Sequence, residues 1–263
     1  VILTDHISNC HEAHTINNVP SLFRTHFTAE EENSMKPDVL ISVGGNTIFN
    51  DVMKAKMKHW RAQHWQVGRE DKVIDGFRNL THLFEMKEEF FFRKMAQNAL
   101  FKNNNGFYEI WKKMSCETPE PEATQFNELG VIKMLMKSIP DEADLQIANS
   151  WSIRMSQLFN VPSSIRQYCN RGVNGIDGSM STAVGYSATN DRLTYLLIGD
   201  LSFFYDMNAL WISSLPKTMR ILLINNHGGS MLYRPYMKEM MEKFPMSNLG
   251  IDCKQVDAKG WST

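Results

Sequence analysis

Short apolar runs closed by glycine or a polar residue alternate along the chain with stretches of helical spacing. Residues 1–4 form one such run, ending at Asp5. Residues 38–46, "DVLISVGGN", form another, and its Gly-Gly turn reads as the end of a buried strand in a parallel sheet. "HWQVG" (64–68) reads as a third strand. Residues 83–101, "LFEMKEEFFFRKMAQNALF", predict a helix. "NNNG" (103–106) breaks it, and a second helical piece runs to Met114. "CETPEPEATQ" (116–125), with its prolines and acids, reads as a linker. A second strand–helix pattern follows. A helix over 126–138 leads to a strand ending at Asn149-Ser150, then to a short helix capped by Ser150. A Gly- and Ser-rich stretch (170–188) runs into a helix, with Asp177 as its expected cap. After it come a strand (195–198), a helix through Trp211, a strand (221–224) and a helix after Pro235. The pattern predicts an α/β protein with two open, mostly parallel sheets flanked by helices, divided into residues 1–118 and 119–263.

Composition narrows the partners. A formal net charge of −1 gives no field that draws the chain to nucleic acid or to an anionic membrane. No apolar run approaches the roughly 18 residues of a membrane span. The cysteines Cys10, Cys116, Cys169 and Cys253 lie far apart without CxxC spacing, which fits reduced thiols in a cytoplasmic protein. The chain opens without Met or a leader and stops without a finished element, so it reads as a piece of a longer protein, truncated at its C-terminal end. "CHEAH" (10–14) is not the HExxH zinc pattern and reads as a polar helix start. "EEFFF" (88–92) reads as a buried helix face, and the methionines as filling for cores and interfaces.

Candidate chemistry gathers at strand ends, because ligands in open α/β sheets bind beyond the carboxyl ends of the strands. Gly199-Asp200 ends one strand and Asn225-Asn226-His227-Gly228 ends the next. Asp200 offers a carboxylate, Asn226 an amide oxygen and Gly228 a carbonyl, a hard oxygen set that suits Mg²⁺ or Mn²⁺ beside a phosphate. The N–H groups of Leu201 and Ser202, opening the next helix, would face that phosphate. Either motif alone is commonly a turn or a cap. The two together, each after an apolar strand and about 26 residues apart, are the stronger signal.

That pairing resembles the thiamine-diphosphate signature, and four motifs in order sharpen it: "NSWSIR" (149–154), "NRGVNGIDGSMSTAVG" (170–185), "LLIGDLSFFYDMNALW" (196–211) and "INNHGGSMLYRP" (224–235). Together they closely resemble the 2-succinyl-5-enolpyruvyl-6-hydroxy-3-cyclohexene-1-carboxylate synthase family, with a weaker match over 1–115. The resemblance implies a partial central domain (1–118) and a diphosphate-binding domain (119–263), the pyrimidine-binding domain with its ring-activating glutamate lying elsewhere. It implies thiamine diphosphate as cofactor, with the metal held by Asp200, Asn226 and the Gly228 carbonyl. Ile176 would prop the bent cofactor, and the Asn174 carbonyl would accept from its amino group. Met231 and Leu232 would pack against the cofactor, at positions where the family commonly has a larger apolar pair. Ser150, Arg154 and Arg171 match substrate-contact positions, and Arg suits the carboxylates of 2-oxoglutarate and isochorismate. Without the motifs, those arginines would read as solvated surface charges. The implied activity of the whole protein is decarboxylation of 2-oxoglutarate and addition of the succinyl unit to isochorismate in menaquinone biosynthesis, by a homodimer or homotetramer. Alternatives are another thiamine-diphosphate-dependent 2-keto acid decarboxylase or synthase, or, for this piece alone, an inactive binding and dimerisation module. His227 receives no role.

Overall fold

The computed structural model describes residues 1–44, 48, 51–69, 73, 75–98 and 105–229. The chain divides into two compact units: residues 1–5 with 10–121, and residues 6–9 with those after 121. Among the described residues every strand pairing is parallel, and the sheets have two, three and four strands, one sheet more than the pattern predicts.

The first unit opens with β1 (Ile2–Leu3) beside β2 (Thr15–Ile16), then α1 (Val19–Leu22) and α2 (Ala29–Ser34). Thr28 and Glu31 start α2 with a reciprocal capping box. β3 (Val39–Val43), α3 (Asp51–Trp60), β4 (Gln63–Gly68), β5 (Leu80–Glu85), α4 (Glu88–Gln97) and α5 (Asn105–Glu117) complete it, with sheet order β3-β4-β5. Its core includes Leu22, Phe23, Met57, Trp60, Trp111 and Met114. Trp60 and Trp111 meet edge to face at 6.3 Å, and the Trp111 indole N–H donates to the Met35 carbonyl at 3.1 Å.

Four expectations change here. β3 is an edge strand with both its end valines exposed, not a buried one. The helix predicted over 83–101 is a strand through Glu85 followed by α4, because the run from Leu80 pairs with β4. Of Phe90, Phe91 and Phe92 only Phe91 is buried, so the "EEFFF" face is mostly exposed. "CHEAH" forms coil and a turn before β2 rather than a helix start. Among the described residues no group of three or more His, Cys, Asp or Glu could hold a metal ion.

The second unit runs α6 (Glu128–Ser138), β6 (Asp144–Ile147), α7 (Trp151–Ser156), β7 (Arg166–Cys169), α8 (Ser179–Ala188), β8 (Thr194–Gly199), α9 (Asp200–Tyr205) and β9 (Met219–Ile224). Sheet order is β7-β6-β8-β9. β6 is buried along its whole length, and Leu196, Leu197 and Ile198 of β8 are all buried, as expected of central parallel strands covered on both faces. Leu196 and Ile198 pack with Met180, Ala183 and Val184 of α8 and Phe203 of α9. β7 escaped the sequence pattern because "RQYC" carries no apolar run. The single helix expected through Trp211 is α9 followed by a 3₁₀ turn over Met207–Trp211. Asp206 separates them, with φ −135°, and its carboxylate accepts from the Ser181 N–H at 2.7 Å and from the Ser181 hydroxyl. That contact caps α8, so the cap is Asp206 and not Asp177; the residue preceding α8 is Gly178 in the left-handed region. The helix expected after Pro235 lies outside the described residues. No described helix is long and apolar enough to cross a membrane.

Candidate functional site

The chain leaves β6 for β7 on one side of the sheet and leaves β8 for β9 on the other. Loops after β6 and β8 therefore diverge and leave a crevice at the carboxyl edge, the place where such sheets bind ligands. Three of the eight non-glycine residues with positive φ among the described residues lie at this carboxyl edge, in the segments after β6, β7 and β9: Ser150 (73°), Asn174 (57°) and His227 (64°). Such backbone costs about 1–3 kcal/mol per residue and collects where a site needs a fixed shape. Ser150 precedes α7, but its side chain makes no capping hydrogen bond to the helix, contrary to the cap expected from sequence.

β8 and β9 are register partners, with Gly199 opposite Ile224, so Asp200 and the Asn225–Gly228 turn emerge side by side. Asp200 is 2% exposed. Its Oδ2 accepts from the Gly228 N–H at 2.9 Å and its Oδ1 from the Leu201 N–H at 2.7 Å. Gly228 sits at φ 144°, where a side chain would be strained. The Leu201 N–H, expected to be free for a phosphate, is instead held by Asp200 itself. Among the described residues no cation lies within ion-pair distance of Asp200. Among the described residues this buried carboxylate is held by neutral N–H groups, and a buried charge without a counter-charge is costly, so the position could hold a cation.

A cleft of about 490 Å³, open to solvent, brings together Ser150, Ile176, Asp200, Leu201, Ser202, Asn226 and Gly228. Sequence reasoning missed one of its walls. Glu128, in the first turn of α6, lines the cleft and accepts a hydrogen bond from the Asn226 amide Nδ2. That bond orients the amide so that its oxygen is the atom a metal would take. The two residues are 98 positions apart, and no local pattern links them.

Arg154, Arg171 and Asn174 are not in the wall of that cleft. The Arg154 guanidinium donates to the Ser150 carbonyl at 2.9 Å. Arg171 Nη1 donates to Asn149 Oδ1 at 3.1 Å, while its buried Nε has no hydrogen-bond partner among the described residues. Both arginines act on Cys169. Burial pushes that thiol up to about 12, against the downward pull of Arg171 and Arg154, so it stays neutral and donates to Asn149 Oδ1. Asn174 and Asp177 are exposed, and Ile176 is half-buried. Met231 and Leu232 lie outside the described residues.

Fold and edge thus define an α/β domain that presents a carboxylate, an amide and strained loops at the carboxyl ends of parallel strands. No family model matches the chain. It is 39% identical over 241 residues to the 2-succinyl-5-enolpyruvyl-6-hydroxy-3-cyclohexene-1-carboxylate synthase of Bacteroides thetaiotaomicron, covering 89% of this chain and 42% of that protein. The synthase of the same name from Flavobacterium psychrophilum is 36% identical over 87% of the chain and 42% of its own length. That of Desulfotalea psychrophila is 34% identical over 76% and 36%. The chain belongs to the 2-succinyl-5-enolpyruvyl-6-hydroxy-3-cyclohexene-1-carboxylate synthase family, and it spans less than half the length of these relatives.

Proposed function

We propose that this chain is the C-terminal part of a thiamine-diphosphate-dependent transferase of menaquinone biosynthesis, which decarboxylates 2-oxoglutarate and joins the remaining four-carbon unit to isochorismate. The observation that carries the reading is Asp200: a buried carboxylate at the end of β8, gripped by the Gly228 N–H and without a cation partner among the described residues, beside the Asn226 amide at the end of β9. The donor set fits a hard divalent ion. Asp200, Asn226 and the Gly228 carbonyl would hold Mg²⁺ or Mn²⁺, with Ser202 and the Leu201 backbone beside the diphosphate. Bound there, thiamine diphosphate supplies an electron sink for carbon–carbon bond cleavage and formation.

The residues of this chain bind, orient and neutralise. Ile176, half-buried in the cleft wall, would support the cofactor ring, and the left-handed backbone at Asn174 would turn its carbonyl toward the amino group. Arg171 has one guanidinium face fixed by Asn149 and a buried Nε–H to spare, the arrangement that suits a carboxylate. Arg154, tied to the Ser150 carbonyl, would place a second positive charge at the same end of the sheet, with the Ser150 hydroxyl near substrate. On this reading the reaction takes place in the cytoplasm, which suits Cys10, Cys116 and Cys169, none of which forms a disulfide among the described residues. Exposed Tyr205, Trp211, Ile212 and Leu215 support a homo-oligomer. Ring activation is placed outside these 263 residues, so the chain by itself would bind the cofactor weakly and not turn over.

A second reading is a decarboxylase of small apolar 2-keto acids within the same cofactor class. Two arginines at one strand edge favour the dicarboxylate. Carbon dioxide release by the natural full-length protein, measured with 2-oxoglutarate and with pyruvate, separates them. Release from 2-oxoglutarate that depends on added cofactor, with product formed only when isochorismate is present, is expected. Turnover of pyruvate alone would replace the first reading with the second.

A further inference from the structure

The loop after β7 carries Arg171, Asn174 and Ile176, yet it is a glycine-rich segment with exposed ends, and Val173 is 94% exposed. Something must hold it. Two backbone carbonyls of the loop, those of Asn170 and Gly175, are bound by one side chain: Asn149 Nδ2 donates to Asn170 O at 2.5 Å and to Gly175 O at 2.6 Å. The same amide accepts through Oδ1 from Arg171 Nη1 at 3.1 Å and from the Cys169 thiol at 3.5 Å. Asn149 is 3% exposed, at the end of the central strand β6, and lines the cleft. Both of its N–H donors and both of its acceptor sites are used.

We propose that Asn149 is a positioning residue that fixes two functions at once: the loop geometry that presents Asn174 and Ile176 to the cofactor, and the orientation of the Arg171 guanidinium toward a substrate carboxylate. The proposal rests on the cofactor reading above. Its physical basis is that the groups around Asn149 demand both donors and acceptors at one point. Two carbonyl oxygens need N–H groups, and a guanidinium and a thiol need an oxygen. Only an amide meets both demands at this size. The Gly175 carbonyl belongs to the peptide plane that begins Ile176, so the bond to Asn149 sets the direction from which Ile176 enters the cleft. Asp could keep the acceptor half and lose the donor half. The two halves are therefore separable by mutation.

The test uses the natural full-length protein with three substitutions. Asn149→Asp keeps an oxygen for Arg171 and removes both donors. It is expected to lower kcat about 10- to 100-fold while the KM for 2-oxoglutarate stays within about threefold of wild type, the loss typical of a disturbed supporting shell. The circular-dichroism band of the bound aminopyrimidine ring should weaken in parallel. Arg171→Met removes the guanidinium and leaves the two loop carbonyls bound. It should raise that KM about 10- to 100-fold and leave the ring band in place. Asp200→Ala serves as the control for the cofactor reading and should abolish the ring band by abolishing cofactor binding. If Asp200→Ala binds thiamine diphosphate as wild type does, the cofactor reading fails and this inference falls with it. If Asp200→Ala behaves as expected but Asn149→Asp keeps wild-type kcat and ring band, the inference alone is overturned. Equal effects of Asn149→Asp and Arg171→Met on both kcat and KM would also overturn it, by showing that the two halves do not act separately. Where Asn149→Asp lowers expression, hydrogen exchange of the 170–176 amides in wild type, with and without Mg²⁺ and thiamine diphosphate, gives the same answer. Protection of the loop already present without cofactor is expected, and a loop that orders only on binding would contradict the role.

Discussion

Two aspartates lie buried at opposite ends of one four-stranded sheet, and their surroundings differ in kind. Asp144 starts β6 and is 0% exposed. Arg166 grips it with two bonds of 2.8 Å, Arg192 Nε adds a third at 3.1 Å and the Tyr186 hydroxyl a fourth at 2.7 Å. Burial alone would raise the Asp144 carboxyl. The hydrogen bonds from Arg166 and Tyr186 and the charges of Arg166 and Arg192 outweigh it and hold the group below its ordinary value. Asp200 follows β8 at the other end, equally buried, with two backbone N–H donors and no cation among the described residues. The amino edge is electrostatically complete. The carboxyl edge has no such counter-charge among the described residues, and on the proposed function a divalent cation would supply it. The difference separates an aspartate paired with arginines inside the fold from one that, on the proposed function, would bind a metal, although both read as strand-end Asp in sequence.

The contrast breaks most visibly at Asp144. Asp144→Ala leaves two arginines without their common anion and is expected to cost about 2–4 kcal/mol in denaturant unfolding. The figure is below that for a fully buried pair because Arg166 and Arg192 keep some solvent. Cofactor affinity should not change. At the other edge, Arg154→Ala and Arg171→Ala should leave stability nearly untouched and raise the KM for a carboxylate substrate. A lost charge-assisted contact of about 1.5–3 kcal/mol corresponds to roughly ten- to a hundredfold. Wild-type kinetics in both variants would reduce these arginines to surface charges.

Acid sharpens the same comparison. A carboxyl held below its ordinary 3.8 contributes stability that is fully present above that value and is lost as pH falls through its folded value. The stability deficit of Asp144→Asn relative to wild type should therefore be largest near neutral pH and shrink below about pH 3.8, as followed by unfolding at several pH values. A deficit independent of pH would mean that Asp144 acts through shape rather than charge. The smallest effect is expected at Asp206. Its loss uncaps α8, worth about 1 kcal/mol in thermal unfolding, with a modest loss of kcat because α8 follows the Ile176 loop.

Much of this edge was legible in the chain itself. Gly199-Asp200 and Asn225-Asn226 each follow an apolar strand, and the interval between them leaves room for neighbouring strands, which β8 and β9 are. What stayed hidden depended on side chains reaching across the fold. Glu128 meets Asn226, and Asp206 caps a helix 25 positions earlier; neither pair has a local signature. Asn149 was visible as a strand-end residue, but its grip on the loop after β7 was not, because β7 itself has no apolar run to announce it. The error at 83–101 has a different cause. Apolar and charged residues there satisfy helical spacing and strand pairing alike, and the pairing of β5 with β4 decided between them.

The most direct test of a cation-seeking Asp200 is a calorimetric titration of Mg²⁺ and thiamine diphosphate into the natural full-length protein and its Asp200→Asn variant, with the unfolding free energy of each measured free of ligand. Asn keeps the shape, removes the negative charge and gives up one of the two acceptors used by the Gly228 and Leu201 N–H groups. The expected result is a fall in affinity of at least about a hundredfold, equivalent to about 2.7 kcal/mol, together with a ligand-free stability loss well below that of Asp144→Ala, because the removed charge and the lost acceptor act in opposite directions. Unchanged affinity, or a variant destabilised as strongly as Asp144→Ala, would contradict the assignment of the carboxyl edge as the metal and diphosphate site.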